Sequence, residues 1–211
     1  MQTDFDLLSP KSLIIFGCGG HARSVADVYL RRFPRGALLF VDENAAPGET
    51  LFGFPIALAA PLEIADAFLA AGDNKKRQAL WEQFHSLKIL YTIIAPSALI
   101  SPYAAIESNV FVGHLASIGP EARIGHNTIV NTGAIIEHEV FIGCHSHVGP
   151  NAVISGRCRI GERVFIGVGA VVKDSVRIGS HIVVGAGAVV VKDLSEPGIY
   201  VGCPAKLSRN S

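Results

Sequence analysis

The chain has 211 residues and carries 18 basic and 18 acidic side chains, so it has no net charge. That balance gives no sign of a nucleic-acid or anionic-membrane partner, and neither is expected. It is 49% hydrophobic but only 8% aromatic, so its core is built from small and β-branched side chains rather than rings.

The first residues, MQTDFDLLSPK, show no basic-then-apolar leader, and no apolar run in the chain reaches spanning length. A cytoplasmic protein is expected, with no membrane insertion. "KSLIIFGCGGHARSVADVYLRRF" then reads as strand, glycine turn and helix. Gly17, Gly19 and Ala22 fit G-x-G-x-x-A. "ALLFVDEN" is a second strand ending in Asp42 and Glu43, and Ala45 to Pro61, rich in proline and glycine, reads as a loop. "DAFLAAGDNKKRQALWEQF" predicts a third strand, a turn at Gly72 and a helix, and "KILYTII" a fourth strand. Strands alternating with helices predict a small parallel α/β sheet. The glycine fingerprint followed by acids suits a nucleotide diphosphate on backbone N–H groups, and equally a turn that only lets strand and helix pack closely.

From residue 95 onward the pattern changes. Stepping by six from Ile100 to Val190 meets sixteen residues, and all are Ile or Val. The residues two before them, from Ala98 to Ala188, are mostly small and never charged. Glycine often follows the aliphatic position, as at Gly113, Gly167 and Gly185, and is expected to supply turn angles that other residues avoid. Alternation within each hexad predicts short strands whose i−2 and i side chains point inward. The architecture is a parallel β-helix. The hexads resemble those of the left-handed β-helix of hexapeptide-repeat acyltransferases. In that family three hexads make one triangular coil, which implies about five coils here at roughly 4.8 Å each.

On a three-sided coil the histidines can be sorted. His114, His126 and His138 each follow an aliphatic position by two and are spaced by twelve, so they fall on three different edges. They do not share a metal within one chain, and no metal is expected. His147 points outward between Ser146 and Val148, half a coil after His138, so a site using both needs a neighbouring subunit. His114, His126, His145 and His181 read as polar residues at surface turns. His138 is flanked by Glu137 and Glu139, and a carboxylate can orient an imidazole and raise its basicity.

The whole chain resembles one branch of these acyltransferases, the bacterial sugar acetyltransferases with an N-terminal Rossmann-like domain. The branch holds UDP-4-amino-sugar and GDP-perosamine N-acetyltransferases and sialic acid O-acetyltransferases. The matching stretches are "IIFGCGGHARSVADV", "FVDEN", "GDNKKR", "APSALIS", "NTGAIIEHEVFIGCHSHVG" and "GIYVGCPAKL". The resemblance implies a Rossmann-like nucleotide-sugar-binding domain over residues 1–94 and a left-handed β-helix over 95–211, assembled as a homotrimer. It implies acetyl-CoA as co-substrate, His138 as general base, Glu139 as its orienting group and His147 beside the thioester. It places Gly156, Val168 and Ala186 along acetyl-CoA. It places Gly19, Gly20, His21, Asp42, Glu43, Gly72 and Lys75 on the nucleotide sugar. This chain has Glu43 where the UDP-sugar enzymes have aspartate. Its hexad register never breaks for a loop, so the base must sit on the coil itself.

The expected reaction is N-acetylation of a nucleotide-linked amino sugar for surface glycan synthesis, by direct attack of the amine. The oxyanion would be held by His147 or a coil N–H. O-acetylation of a sialic acid type sugar is the alternative. A non-catalytic nucleotide-binding scaffold is a remote one, as is an NAD-dependent oxidoreductase, which leaves the hexads unexplained. A γ-type carbonic anhydrase needs two ligands five residues apart, and no two histidines here have that spacing. The four cysteines include no C-x-x-C pair, and Cys144 has no evident cation to make it an acyl carrier.

Overall fold

The computed structural model describes residues 12–60, 66–85 and 90–208. The first part is a five-stranded sheet in the order β3-β4-β2-β1-β5. Strand β1 (Ser12–Phe16) runs into helix α1 (Gly20–Arg32), and the chain returns as β2 (Ala37–Val41), parallel to β1. Helix α1 packs through Ala22, Val25, Ala26 and Tyr29, the spacing of one helical face. The region read as a loop is instead a hairpin, β3 (Thr50–Leu51) and β4 (Phe54–Ala57), and β4 extends the sheet beside β2. Its turn residues, Phe52 and Gly53, both have positive φ, the geometry that matches the twist of a tight hairpin. Pro55 and Gly53 mark this turn and sheet edge, and their presence hid the strands.

The chain then crosses to the other side of β1. Strand β5 (Asp66–Leu69) pairs parallel with β1 and leads into helix α2 (Asn74–Phe84). The sheet therefore reverses direction between β1 and β5, and the crevice at their carboxyl ends is where such sheets bind ligands. The expected fourth strand is not continuous. Part of it lies outside the described residues, Leu90 makes a single bridge to Ala67, and β6 (Ile93–Ile94) pairs with Phe111–Val112.

From β6 the chain coils in three faces, each a stack of parallel strands of two to four residues. The first face stacks Leu99–Ile100, Ser117–Ile118, Ile135–Ile136, Val153–Ile154, Val171–Val172 and Val189–Val190. The second runs from Ala105–Ile106 to Arg177–Ile178. The third runs from β6 through Ile129–Val130, His147–Val148 and Phe165–Ile166 to Gly198–Val201. We call the corner leaving the first face corner 1, that leaving the second corner 2, and that leaving the third corner 3. Fourteen of the sixteen hexad residues, from Val112 to Val190, are buried, and the i−2 residues from Val110 to Ala188 fill the same core.

The glycines after the strands do not serve the turn. Gly113 and Gly167 lack positive φ, and a Cβ on them would meet the next coil's backbone at 2.7 Å (Thr132 N) and 2.5 Å (Ala186 N). They are glycine because adjacent coils touch there. The left-handed conformation falls two residues later, and most residues holding it carry side chains, including Asn127, Glu139 and His145.

Candidate active site

At the crevice, Gly17 (φ 107°) opens the turn after β1, and Gly19 caps α1 without any side-chain hydrogen bond. Gly19 and Gly20 are exposed, with open space where a Cβ would stand, so the first N–H groups of α1 face room for an anion. Asp42 already accepts hydrogen bonds within the chain. One carboxylate oxygen accepts the Cys18 N–H and S–H, both at 3.2 Å, and the other accepts the Asn44 N–H at 3.0 Å. Donation by Asn44, then by Cys18, holds its pKa below the usual carboxylate range. Asp42 shapes the glycine turn, and Glu43 is the exposed acid beside it. The His21 ring is partly buried. It turns inward, edge-on to Phe111 at 4.9 Å, with Nε2 buried and unpartnered. Burial, then the nearby Arg77 and His147, keep it neutral.

The turn before α2 is the second wall. Asp73 caps the helix, accepting the Lys76 N–H at 2.8 Å. Gly72, Asp73, Asn74 and Lys75 line a cavity of about 520 Å³ whose other side is coil, with Arg163, Phe165, His181 and Val183. Lys75 and Arg163 give that cavity two cations. Arg163 donates to His181 Nε2 at 2.9 Å, which holds the guanidinium in place.

Sheet domain and coil are joined by a residue that the sequence reading passed over. Arg77 is fully buried and faces no carboxylate at bonding distance among the described residues. Its guanidinium donates to the carbonyls of Asn127 (2.8 Å), Ala71 (2.9 Å), Gly72 (3.3 Å), His145 (2.9 Å) and Ser146 (3.0 Å), and to Asn74 Oδ1 (2.8 Å). Burial pushes its pKa down to about 9, with Asp73 opposing. Asn127 returns a bond to the Arg77 carbonyl, and the Asn109 amide links Asn127 to Leu69 of β5. His145, expected at the surface, lies in this seam. Its ring is buried, accepts from Asn127 at 2.8 Å, and is lowered to about pKa 4 by desolvation and then by neighbouring His126 and Arg77. In "DNKKRQAL" Arg77 looks like one more charge on a solvated helix; only the docking of α2 on corner 2 distinguishes it.

His138, Glu139 and Gly156 come together on corner 1. His138 Nδ1 lies 2.9 Å from Glu139 Oε2, and both side chains are nearly half exposed. A carboxylate oxygen only accepts, so Nδ1 carries a proton, and in the neutral ring it is Nε2 that presents the lone pair. A Cβ on Gly156 would stand 2.5–2.6 Å from His138 Cε1 and Nε2, so the ring lies over that glycine. Val168 and Ala186 are stacked one coil apart on corner 3. His147 is on the third face, pointing outward as expected, but the sheet domain covers it. Its Nδ1 donates to the Gly72 carbonyl at 3.2 Å and its Nε2 lies 3.2 Å from Asn131 Nδ2. Burial, then Arg77, lower its pKa to about 4. His147 is therefore a neutral ring whose proton is on Nδ1, turned away from Asn131.

The three edge histidines do occupy three corners: His114 meets Asp27 and Ser97, His126 meets Glu107 and Cys144, and His138 meets Glu139. Burial and then the carboxylates Glu107 and Glu162 raise the Cys144 thiol, which disfavours the thiolate an acyl carrier needs. No helix among the described residues is long and apolar enough to cross a membrane.

The family model described as PglD N-terminal domain matches residues 12–84. That described as Bacterial transferase hexapeptide (six repeats) matches residues 139–174 and 157–192. No curated protein matches the chain. Among solved structures, a mutant of perosamine N-acetyltransferase from Caulobacter crescentus, in complex with CoA and GDP-perosamine, is 34% identical, with TM-score 0.86 over 94% of this chain and 97% of that one. The acetyltransferase domain of PglB from Neisseria gonorrhoeae FA1090, in complex with acetyl coenzyme A, is 30% identical, with TM-score 0.88 over 95% and 100%. WeeI from Acinetobacter baumannii AYE shares the fold, at 22% identity and TM-score 0.86 over 94% and 100%. With both halves matched and the likeness running nearly end to end, this chain is an acyltransferase and belongs to the nucleotide-sugar acetyltransferase family of hexapeptide-repeat proteins with a PglD-type N-terminal domain.

Proposed function

We propose that the chain transfers the acetyl group of acetyl-CoA to the amine of a nucleotide-linked amino sugar, with His138 as general base. The observation that carries this is the His138–Glu139 pair at 2.9 Å over Gly156, which leaves Nε2 on an accessible corner as the ring atom that can take a proton. The open N–H groups of α1 at Gly19 and Gly20, with Glu43 nearby, would hold the nucleotide, and the cationic cavity at Lys75 would take its phosphates or sugar. As the amine attacks the thioester carbon, its proton passes to His138 Nε2. Glu139 stabilises the imidazolium. Collapse of the tetrahedral intermediate breaks the C–S bond, and His138 returns the proton to the CoA sulfur. His147 holds its only proton toward Gly72, so a coil N–H rather than its ring would stabilise the oxyanion.

The reading includes a homotrimer of left-handed coils. Within one chain the acetyl-CoA positions are split between corner 1 (Gly156) and corner 3 (Val168, Ala186), and an adjacent coil would reunite them. It also includes a location in the cytoplasm, where acetyl-CoA is available. The test is thiol-release kinetics with UDP-, GDP- and dTDP-amino sugars, alongside light scattering for mass. His138→Ala should lower kcat at least about a hundredfold while acetyl-CoA binding by calorimetry persists. An unchanged kcat would sink the assignment.

A further inference from the structure

Corner 2 carries a second cluster of reactive side chains that acetyl transfer does not use. Glu107, His126 and Cys144 come from three successive coils and stack along the coil axis. The Glu107 carboxylate lies 3.1 Å from His126 Nδ1, and the Cys144 sulfur lies 3.2 Å from the same nitrogen. The three donor atoms fall within 4.8 Å of one another. Without a ligand the arrangement is over-subscribed. One ring nitrogen faces both a carboxylate and a thiol, and it can donate to the first or accept from the second, not both.

The side chains are held in place from outside the cluster. Glu107 Oε2 also accepts the His126 backbone N–H at 2.9 Å. The indole of Trp81 in α2 is stacked on the His126 ring, with centroids 4.3 Å apart and planes 17° apart. The His145 ring stands edge-on behind at 5.0 Å. Around the half-buried Cys144 sulfur the resolved charges are the carboxylates Glu107 and Glu162.

We infer that Glu107, His126 and Cys144 form a site for a borderline-soft divalent cation of the zinc class, separate from the acetyl-transfer corner. One imidazole nitrogen, one thiolate and one carboxylate are the donors such ions take, with the fourth tetrahedral position left to water. At bond lengths of about 2.0–2.1 Å to nitrogen and 2.3 Å to sulfur, tetrahedral ligation separates N and S by about 3.5 Å. The 3.2 Å found needs an opening of only a few tenths of an ångström. On binding, the Cys144 S–H proton leaves to solvent, the sulfur bonds the metal, and the His126 proton resides on Nε2. The imidazole lone pair that Trp81 stacking fixes then points at the ion.

The molecule carries its own reporter, because Trp81 is the only tryptophan in the chain. Cobalt(II) is the probe, titrated into the full-length, chelator-treated protein. The expected result is saturable quenching of tryptophan emission at one equivalent, together with a thiolate-to-cobalt absorption band and visible bands of tetrahedral intensity. C144A should abolish the absorption band, H126A should weaken binding at least tenfold, and a C18A/C203A double variant should leave both signals intact. Melting temperature without metal establishes that each variant is folded. A charge-transfer band that persists in C144A overturns the site, as does unchanged affinity in H126A. So does the absence of quenching at millimolar cobalt.

Discussion

Gly156→Ala isolates the placement of the proposed base, His138, from its chemistry. The added methyl would stand 2.5 Å from His138 Cε1 and 2.6 Å from Nε2, where contact distances are about 3.5–4.0 Å. The ring must withdraw by about 1 Å. It is nearly half exposed, so it has room to swing, but the swing breaks the 2.9 Å contact with Glu139. Gly156 lacks positive φ, so alanine is not strained there, and its lower unfolded-state entropy offsets part of the clash. Stability should therefore change by less than about 1 kcal/mol. A misplacement of this size costs on the order of a hundredfold in rate, or about 2.7 kcal/mol of barrier. Steady-state thiol release gives kcat, and thermal unfolding gives stability. A folded G156A enzyme with kcat within threefold of wild type would refute the placement of the base over Gly156. A G156A chain that fails to fold would refute the freedom of the ring to move.

Arg77→Met removes the donors from six acceptors at the domain seam, and should cost about 3–5 kcal/mol in urea unfolding. A loss under about 1 kcal/mol would mean that water satisfies those carbonyls. Acid should weaken the fold through His145 and His147, each neutral in the folded chain with pKa about 4 against 6.5 unfolded. Below pH 6.5 the unfolded chain binds protons that the folded chain refuses, so stability is full above that pH. It is lost as pH falls toward 4, by up to about 1.4 kcal/mol per pH unit for each histidine. The lowered carboxyls Asp27 and Asp42 act only below their ordinary 3.8, so a flat urea midpoint between pH 6.5 and 4.5 would contradict the histidine burial.

The coil was legible because its core repeats. Every inward position is set by contact with the residue eighteen before and after, and sixteen hexads in one register leave no second reading. The pairing of His138 with Glu139 was legible for the same reason, since neighbours on one corner can be counted out. What escaped depends on contacts between the two parts of the chain. Arg77, Asn127 and His145 are ordinary polar residues in sequence, and they become a buried seam only when α2 docks on corner 2. Asp42 was placed on the nucleotide sugar by resemblance, and the two donors that Cys18 offers it are contacts that the sequence does not reveal. The β3–β4 hairpin was lost because glycine and proline mark hairpin turns and loops alike. The glycines were found, but their reason lies in the neighbouring coil rather than in the turn.

The left-handed residue at nearly every corner of the coil has a further consequence. The hexad core and the close-contact glycine leave the next two positions outside the coil's own core, and except where the sheet domain covers them, as at Asn109, Asn127 and His145, they face out. His114, His126 and His138 all stand at the first of them, and Glu139 at the second. The prism thus works as a pegboard, with side chains at fixed addresses one coil apart and three to a coil. Moving a functional group by six residues carries it to the next edge, and moving it by eighteen carries it one coil along the same edge, with no change to the core. A site on this fold can be relocated, or a second one added, by substitutions that the folding of the coil does not register.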